Sequence, residues 1–136
     1  DGAKLFYREY APTGDKRAGS AVLVHGSSGS SDSMHPMATA LAVAGLHVYA
    51  IDIRGHGASG TKGHNGYIGQ LESDMQAFVD TVKPAPPSTL IGFSSGGGFV
   101  LRVAASEMQS SFDSYLNHFF ADAKVSVMQA LKPCLG

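Results

Sequence analysis

Runs of apolar residues and amphipathic stretches alternate along this chain, and their order predicts strands and helices in turn. Lys4 to Tyr10 alternates enough to read as a strand, and Pro12-Thr13-Gly14-Asp15 follows as a turn. Ala21-Val22-Leu23-Val24 is apolar without a break, the pattern of a strand buried on both faces. A glycine- and serine-rich loop runs from His25 to Ser33. Met37, Leu41 and Ala44 then mark a helix that Gly45 caps. Leu46 to Ile51 is the next strand and ends at Asp52, ahead of a glycine-rich loop from Arg54 to Gly66. Leu71, Met75, Phe78, Val79 and Val82 fall at helical spacing as core-facing positions, and Pro84 and Pro86-Pro87 end that helix. Thr89-Leu90-Ile91 reads as a short buried strand. The run from Phe99 through Val100, Leu101, Val103 and Ala104 to Ala105 reads as a buried helix. Strands alternating with helices predict the α/β class, a mostly parallel sheet flanked by helices, with no internal repeat and no linker.

Composition narrows the function classes. The 136 residues are 43% hydrophobic and 15% charged with a formal net charge of −1, and there is no basic run. A nucleic acid or an anionic membrane surface is therefore not an expected partner. No stretch has the length of a transmembrane segment, and no signal peptide is visible. The one cysteine, Cys134, cannot form an internal disulfide, so the compartment is left open with the cytoplasm as the default. Oligomeric state is equally open. The chain begins at Asp1 without a methionine, which points to a segment upstream. The six histidines include no H-x-x-x-H pair backed by an acid, so no metal site and no cofactor are expected.

The chemistry concentrates in Gly92-Phe93-Ser94-Ser95-Gly96, a G-x-S-x-G between the apolar strand and the apolar helix. In that context the motif reads as a nucleophile elbow. Ser94 stands at the tip of a tight strand-to-helix turn, and Gly92 and Gly96 relieve the crowding around it. The N–H after the serine, at the start of the helix, is placed to stabilise an oxyanion.

Three blocks together resemble the α/β-hydrolase superfamily, in its lysophospholipase, monoglyceride-lipase and serine-aminopeptidase-like branch. They are Val22-Leu23-Val24-His25-Gly26, Asp52-Ile53-Arg54-Gly55-His56-Gly57-Ala58-Ser59 and the Ser94 motif. The resemblance covers residues 2 to 116 and the N-terminal portion of the family's fold. It implies a serine hydrolase of carboxylic esters, with a small-molecule ester or lipid substrate and an acyl-Ser94 intermediate. It also implies oxyanion donors at the backbone N–H groups of Ser95 and Ser27, and a structural role for the Asp52 to Ser59 block.

Forty-two residues follow Ser94, and they do not match the family's acid and histidine loops. The expectation is a partial hydrolase domain over 1–116 and a divergent tail over 117–136, from truncation or a replaced ending. Such a half-sheet would leave the elbow strand with an open edge. Phe112 to Leu116 leads toward a sixth family strand that the tail does not continue. Asp113, His118 and Asp122 are the downstream residues with triad chemistry. The four-residue spacing of His118 and Asp122 predicts a helix-surface pair. Upstream, His25 ends the strand expected beside the elbow strand and is the other candidate base, against the simpler reading of a histidine bonded into its own loop.

Two further readings remain. One is a catalytically inactive partial fold. The other is a dinucleotide site at Gly55-His56-Gly57-Ala58-Ser59-Gly60, a G-x-G-x-x-G after a strand. Thr61 to Gly66 is poor material for the helix that site needs. His56, His64 and Asp32 read as loop or helix-start residues.

Overall fold

The continuous apolar runs become the inner strands of one sheet. In the computed structural model, which describes residues 6–26, 34–52, 70–93 and 95–118, the elements follow in alternation. They are β1 (Tyr7–Tyr10), β2 (Ser20–Val24), α1 (His35–Val43), β3 (His47–Ile51), α2 (Gln70–Val82), β4 (Ser88–Phe93), α3 (Ser95–Ala104) and β5 (Ser114–His118), with a 3-10 turn at Glu107–Ser111. The strand order is β1-β3-β2-β4-β5. β1 is antiparallel to β3, and the other neighbours are parallel. β2 and β4, at the centre, are buried along their whole length.

Alternation along the central strands divides the core into two layers. Ala21, Leu23 and Ile91 face α1, where Met37, Ala38 and Leu41 cover them. Val22, Val24 and Leu90 face the other way, onto Met75 and Phe78 of α2 and Phe99, Val100 and Val103 of α3. Among the described residues, one helix therefore covers one face and two cover the other. The chain leaves β2 through α1 toward β3, on one side, and leaves β4 through α3 toward β5, on the opposite side. The carboxyl ends of β2 and β4 thus flank the point where the connections diverge, and that is where open α/β sheets form a crevice.

Two expectations need correction. The elbow strand has no open edge: β4 is hydrogen-bonded to β2 on one side and to β5 on the other. β5 runs from Ser114 through Asn117 to His118 along that side. Polar contacts at the start of the strand explain this. The N–H of Ser88 donates to Asp113 Oδ2 (2.7 Å), the N–H of Asp113 donates to Ser88 O (2.8 Å), and the hydroxyls of Thr89 and Ser114 bond at 2.7 Å. Finally, Leu101 is 58% exposed. A helix lying on a sheet buries one stripe, and Phe99, Val100 and Val103 fill it, leaving Leu101 on the outer side.

α1 ends as its sequence predicts. Gly45 has φ +106°, its N–H donates to Ala42 O (3.1 Å), and the N–H of Leu46 donates to Leu41 O (3.1 Å). This pair of bonds is a Schellman cap, and Leu41 and Leu46 join the same core cluster beside it. A Cβ on Gly45 would meet the Lys16 carbonyl oxygen at 3.1 Å, in a conformation that L-residues avoid. Gly45→Ala is expected to lower stability by about 1–2 kcal/mol, read as a shift of the urea midpoint with unchanged slope.

Candidate active site

The site begins with the register of the two central strands. Val24 of β2 pairs with Gly92 of β4, so the next residues, His25 just past β2 and Phe93 at the end of β4, lie at the same edge of the sheet. On the far side of β2, Val24 pairs with Ile51, which brings Asp52 to the same carboxyl edge. Phe93 is the last residue of β4 and Ser95 the first of α3, so Ser94 is the single residue between strand and helix. Ser94 itself lies outside the described residues, as do Ser27, His56, His64, Asp32, Asp122, Cys134 and the Gly55–Gly60 segment.

So tight a junction demands close backbone packing. A Cβ on Gly96 would lie 2.5 Å from Val24 O and 2.6 Å from His25 O. Both obstacles are main-chain oxygens of the neighbouring strand exit, and neither can swing aside as a side chain could. The first turn of α3 therefore rests directly on the end of β2, and glycine is the residue that permits it. Gly92 lies within β4, buried, between Val24 and Asn117 in the register.

His25 is completely buried. Its Nδ1 lies 2.6 Å from Gly26 O, and because a carbonyl only accepts, Nδ1 is the donor. That bond is within its own loop. Asp52 is also buried, and its N–H donates to Phe6 O (2.9 Å), tying the end of β3 to the start of β1.

The downstream candidates separate. Asp113 bonds to Ser88, at the amino end of β4, so about 16 Å of strand stands between it and the elbow, at 3.3 Å per residue. It closes the far end of the sheet and is neither a triad acid nor a merely solvated residue. His118 does not sit on a helix, as its spacing from Asp122 predicts. It is the last residue of β5, in register with Phe93, and therefore at the carboxyl end of the sheet. The bond from His25 to Gly26 is the simpler reading that the sequence offered for this histidine, one bonded into its own loop.

Among the described residues, no group of three or more His, Cys, Asp or Glu is arranged to hold a metal ion, and no helix is long and apolar enough to cross a membrane.

Comparisons with known proteins agree with this geometry. Residues 15–115 match the family described as serine aminopeptidase, S33. A monoacylglycerol lipase of Mycolicibacterium smegmatis is 35% identical over 108 residues, which is 76% of this chain and 38% of that protein. This chain thus spans well under half the length of that relative. A probable hydrolytic enzyme of Pseudomonas aeruginosa superimposes with a TM-score of 0.73 at 25% identity, over 85% of this chain and 36% of that one. Two others share the fold at lower identity. Est1E of Butyrivibrio proteoclasticus, solved with ferulic acid bound, has a TM-score of 0.74 at 24% identity, covering 85% and 48% of the two chains. A monoacylglycerol lipase of Paleococcus ferrophilus has 0.72 at 23%, covering 94% and 51%.

Gly96→Ala isolates the packing of helix on strand. Alanine is favoured over glycine within a helix by about 1 kcal/mol. Forcing a methyl against fixed backbone costs about 1–3 kcal/mol or more, so the clash outweighs the propensity gain. The expected result is a net loss of stability in chemical denaturation. A stabilised variant would show that α3 does not rest on β2 as described.

Proposed function

This chain belongs to the serine aminopeptidase, S33 family of α/β-hydrolases, and from that premise we propose that Ser94 is the nucleophile of an ester hydrolase. The observation that carries this is the one-residue junction between β4 and α3, held against the end of β2 by Gly96. A serine there has the strand behind it and the first N–H groups of a helix beside it.

The chemistry proceeds in two stages. Ser94 Oγ attacks the ester carbonyl carbon and its proton passes to a base. The carbonyl oxygen becomes an oxyanion held by the N–H groups of Ser95 and Ser27. Collapse expels the alcohol, which takes up the proton, and leaves acyl-Ser94. Water then attacks the acyl carbon and releases the acid. In this reading His118 is the base, supported by its register beside Phe93 at the carboxyl end of β5. The substrate is a carboxylic ester of the acylglycerol class. That class rests on the lipase relative, and it extends to this chain from a protein of which the chain spans 38%.

The test is the rate at which a fluorophosphonate labels the purified chain. Ser94→Ala is expected to abolish labelling while circular dichroism stays unchanged. His118→Ala is expected to slow it by about 10²-fold or more, the usual scale of general-base catalysis. A folded chain that takes no label would instead favour the non-catalytic reading. Unchanged labelling in His118→Ala would remove that histidine from the mechanism.

A further inference from the structure

β5 arrives beside the elbow strand in a register that its own apolar residues specify weakly. Tyr115 packs against the layer of α2 and α3, and Leu116 against the layer of α1. Sliding the strand by one residue exchanges its two faces. One large apolar residue would still meet each layer, so burial selects poorly between the registers. Phe112 is buried just ahead of the strand, and the Tyr115 hydroxyl donates to Gln109 O (2.7 Å). These hold the approach to β5, and neither is a hydrogen bond to β4.

Among the described residues, the side-chain bonds that join β4 to the β5 segment lie at the amino end of the two strands. Ser88 and Asp113 exchange two bonds, from the N–H of Ser88 to Asp113 Oδ2 (2.7 Å) and from the N–H of Asp113 to Ser88 O (2.8 Å). The Ser88 hydroxyl lies 3.5 Å from the same Oδ2, and the Thr89 and Ser114 hydroxyls bond beside it at 2.7 Å. A carboxylate acceptor makes the stronger kind of hydrogen bond, and a slip of one residue would break both exchanged bonds together. We infer that Asp113 is a positioning residue, which by pairing with Ser88 sets the register of β5 on β4 and thereby delivers His118 to the carboxyl end beside Phe93. The inference rests on the reading of His118 as the base. A step of one residue would carry His118 about 3.3 Å along the sheet. General-base transfer works across about 2.6–3.2 Å, so a single step removes the base. Asp113 acts from about 16 Å away, at about 3.3 Å per residue, and touches no reacting atom.

The pairing requires an acceptor in the right place more than it requires a charge. In Asp113→Asn the amide oxygen still accepts from Ser88, and fluorophosphonate labelling is expected to stay within about threefold of the parent rate. Asp113→Glu keeps the charge but sets the acceptor one methylene farther out, and Asp113→Ala removes it. Both are expected to slow labelling by about 10- to 100-fold, the scale on which a misplaced catalytic group is felt. Asp113 is exposed, so its replacement opens no cavity, and the thermal transition of each variant checks that it folds. A second background separates positioning from general support of the fold. In His118→Ala the base is gone, so adding Asp113→Ala should slow labelling no further. Equal slowing by Asp113→Ala in both backgrounds, or none in the parent, overturns the proposal.

A second measurement reads the register without any reaction. In the parent chain, NMR contacts between the strands should pair Leu90 with Tyr115 and Gly92 with Asn117. Asp113→Asn should keep these contacts, while Asp113→Glu and Asp113→Ala should lose them or shift them by one residue. Contacts unchanged in Asp113→Ala refute the inference even where labelling is slow. A parent chain that takes no label refutes the Ser94 chemistry instead, and the contacts alone then decide whether Asp113 sets the register.

Discussion

The contact on which the site depends is backbone against backbone, where Gly96 in the first turn of α3 meets the carbonyl oxygens of Val24 and His25. The start of α3 and the end of β2 take their relative position from that contact. It sets how closely a helix can follow a strand, and hence why a single residue suffices to join β4 to α3. It also ties the end of β2 to the elbow, so the two strands whose connections diverge are held together where the crevice forms. Glycine is required there by space, since any Cβ would stand about an ångström inside normal contact with two main-chain oxygens.

The rest of the fold serves to keep that edge rigid. β2 and β4 are buried on both faces, one set of side chains packed under α1 and the alternate set under α2 and α3. Neighbours on both sides hold β4 in place, and at its far end the Ser88 and Asp113 bonds set the register that carries β5 alongside. Register at one end of a sheet determines what arrives at the other. The pairing of Thr89 with Ser114 is also what brings His118 beside Phe93.

Much of this was legible in the sequence where the physical signal is local. Unbroken apolar runs identified β2 and β4, the positive-φ glycine marked the end of α1, and the apolar spacing from Leu71 to Val82 marked α2. The tight passage from β4 to α3 was legible as well, because an apolar strand, a glycine-rich junction and an apolar helix follow one another there. What stayed hidden is set by tertiary pairing. The resemblance pointed toward a strand near Phe112 to Leu116, but Asn117 and His118 carry no apolar signal, and they join the strand because β4 offers an edge to pair with. Asp113 and His118 looked alike as triad candidates, and the register sends them to opposite ends of the sheet. Leu101 looked like core until the helix had a face.

The most direct test of the central claim is a crystal structure of the chain after reaction with a phosphonate ester. If the junction of β4, α3 and β2 is an acyl-transfer site, phosphorus is bonded to Ser94 Oγ. Its phosphoryl oxygen then lies within hydrogen-bond distance, about 2.7–3.1 Å, of the backbone N–H groups of Ser95 and Ser27. An adduct on another residue, or a phosphoryl oxygen turned away from both N–H groups, contradicts it.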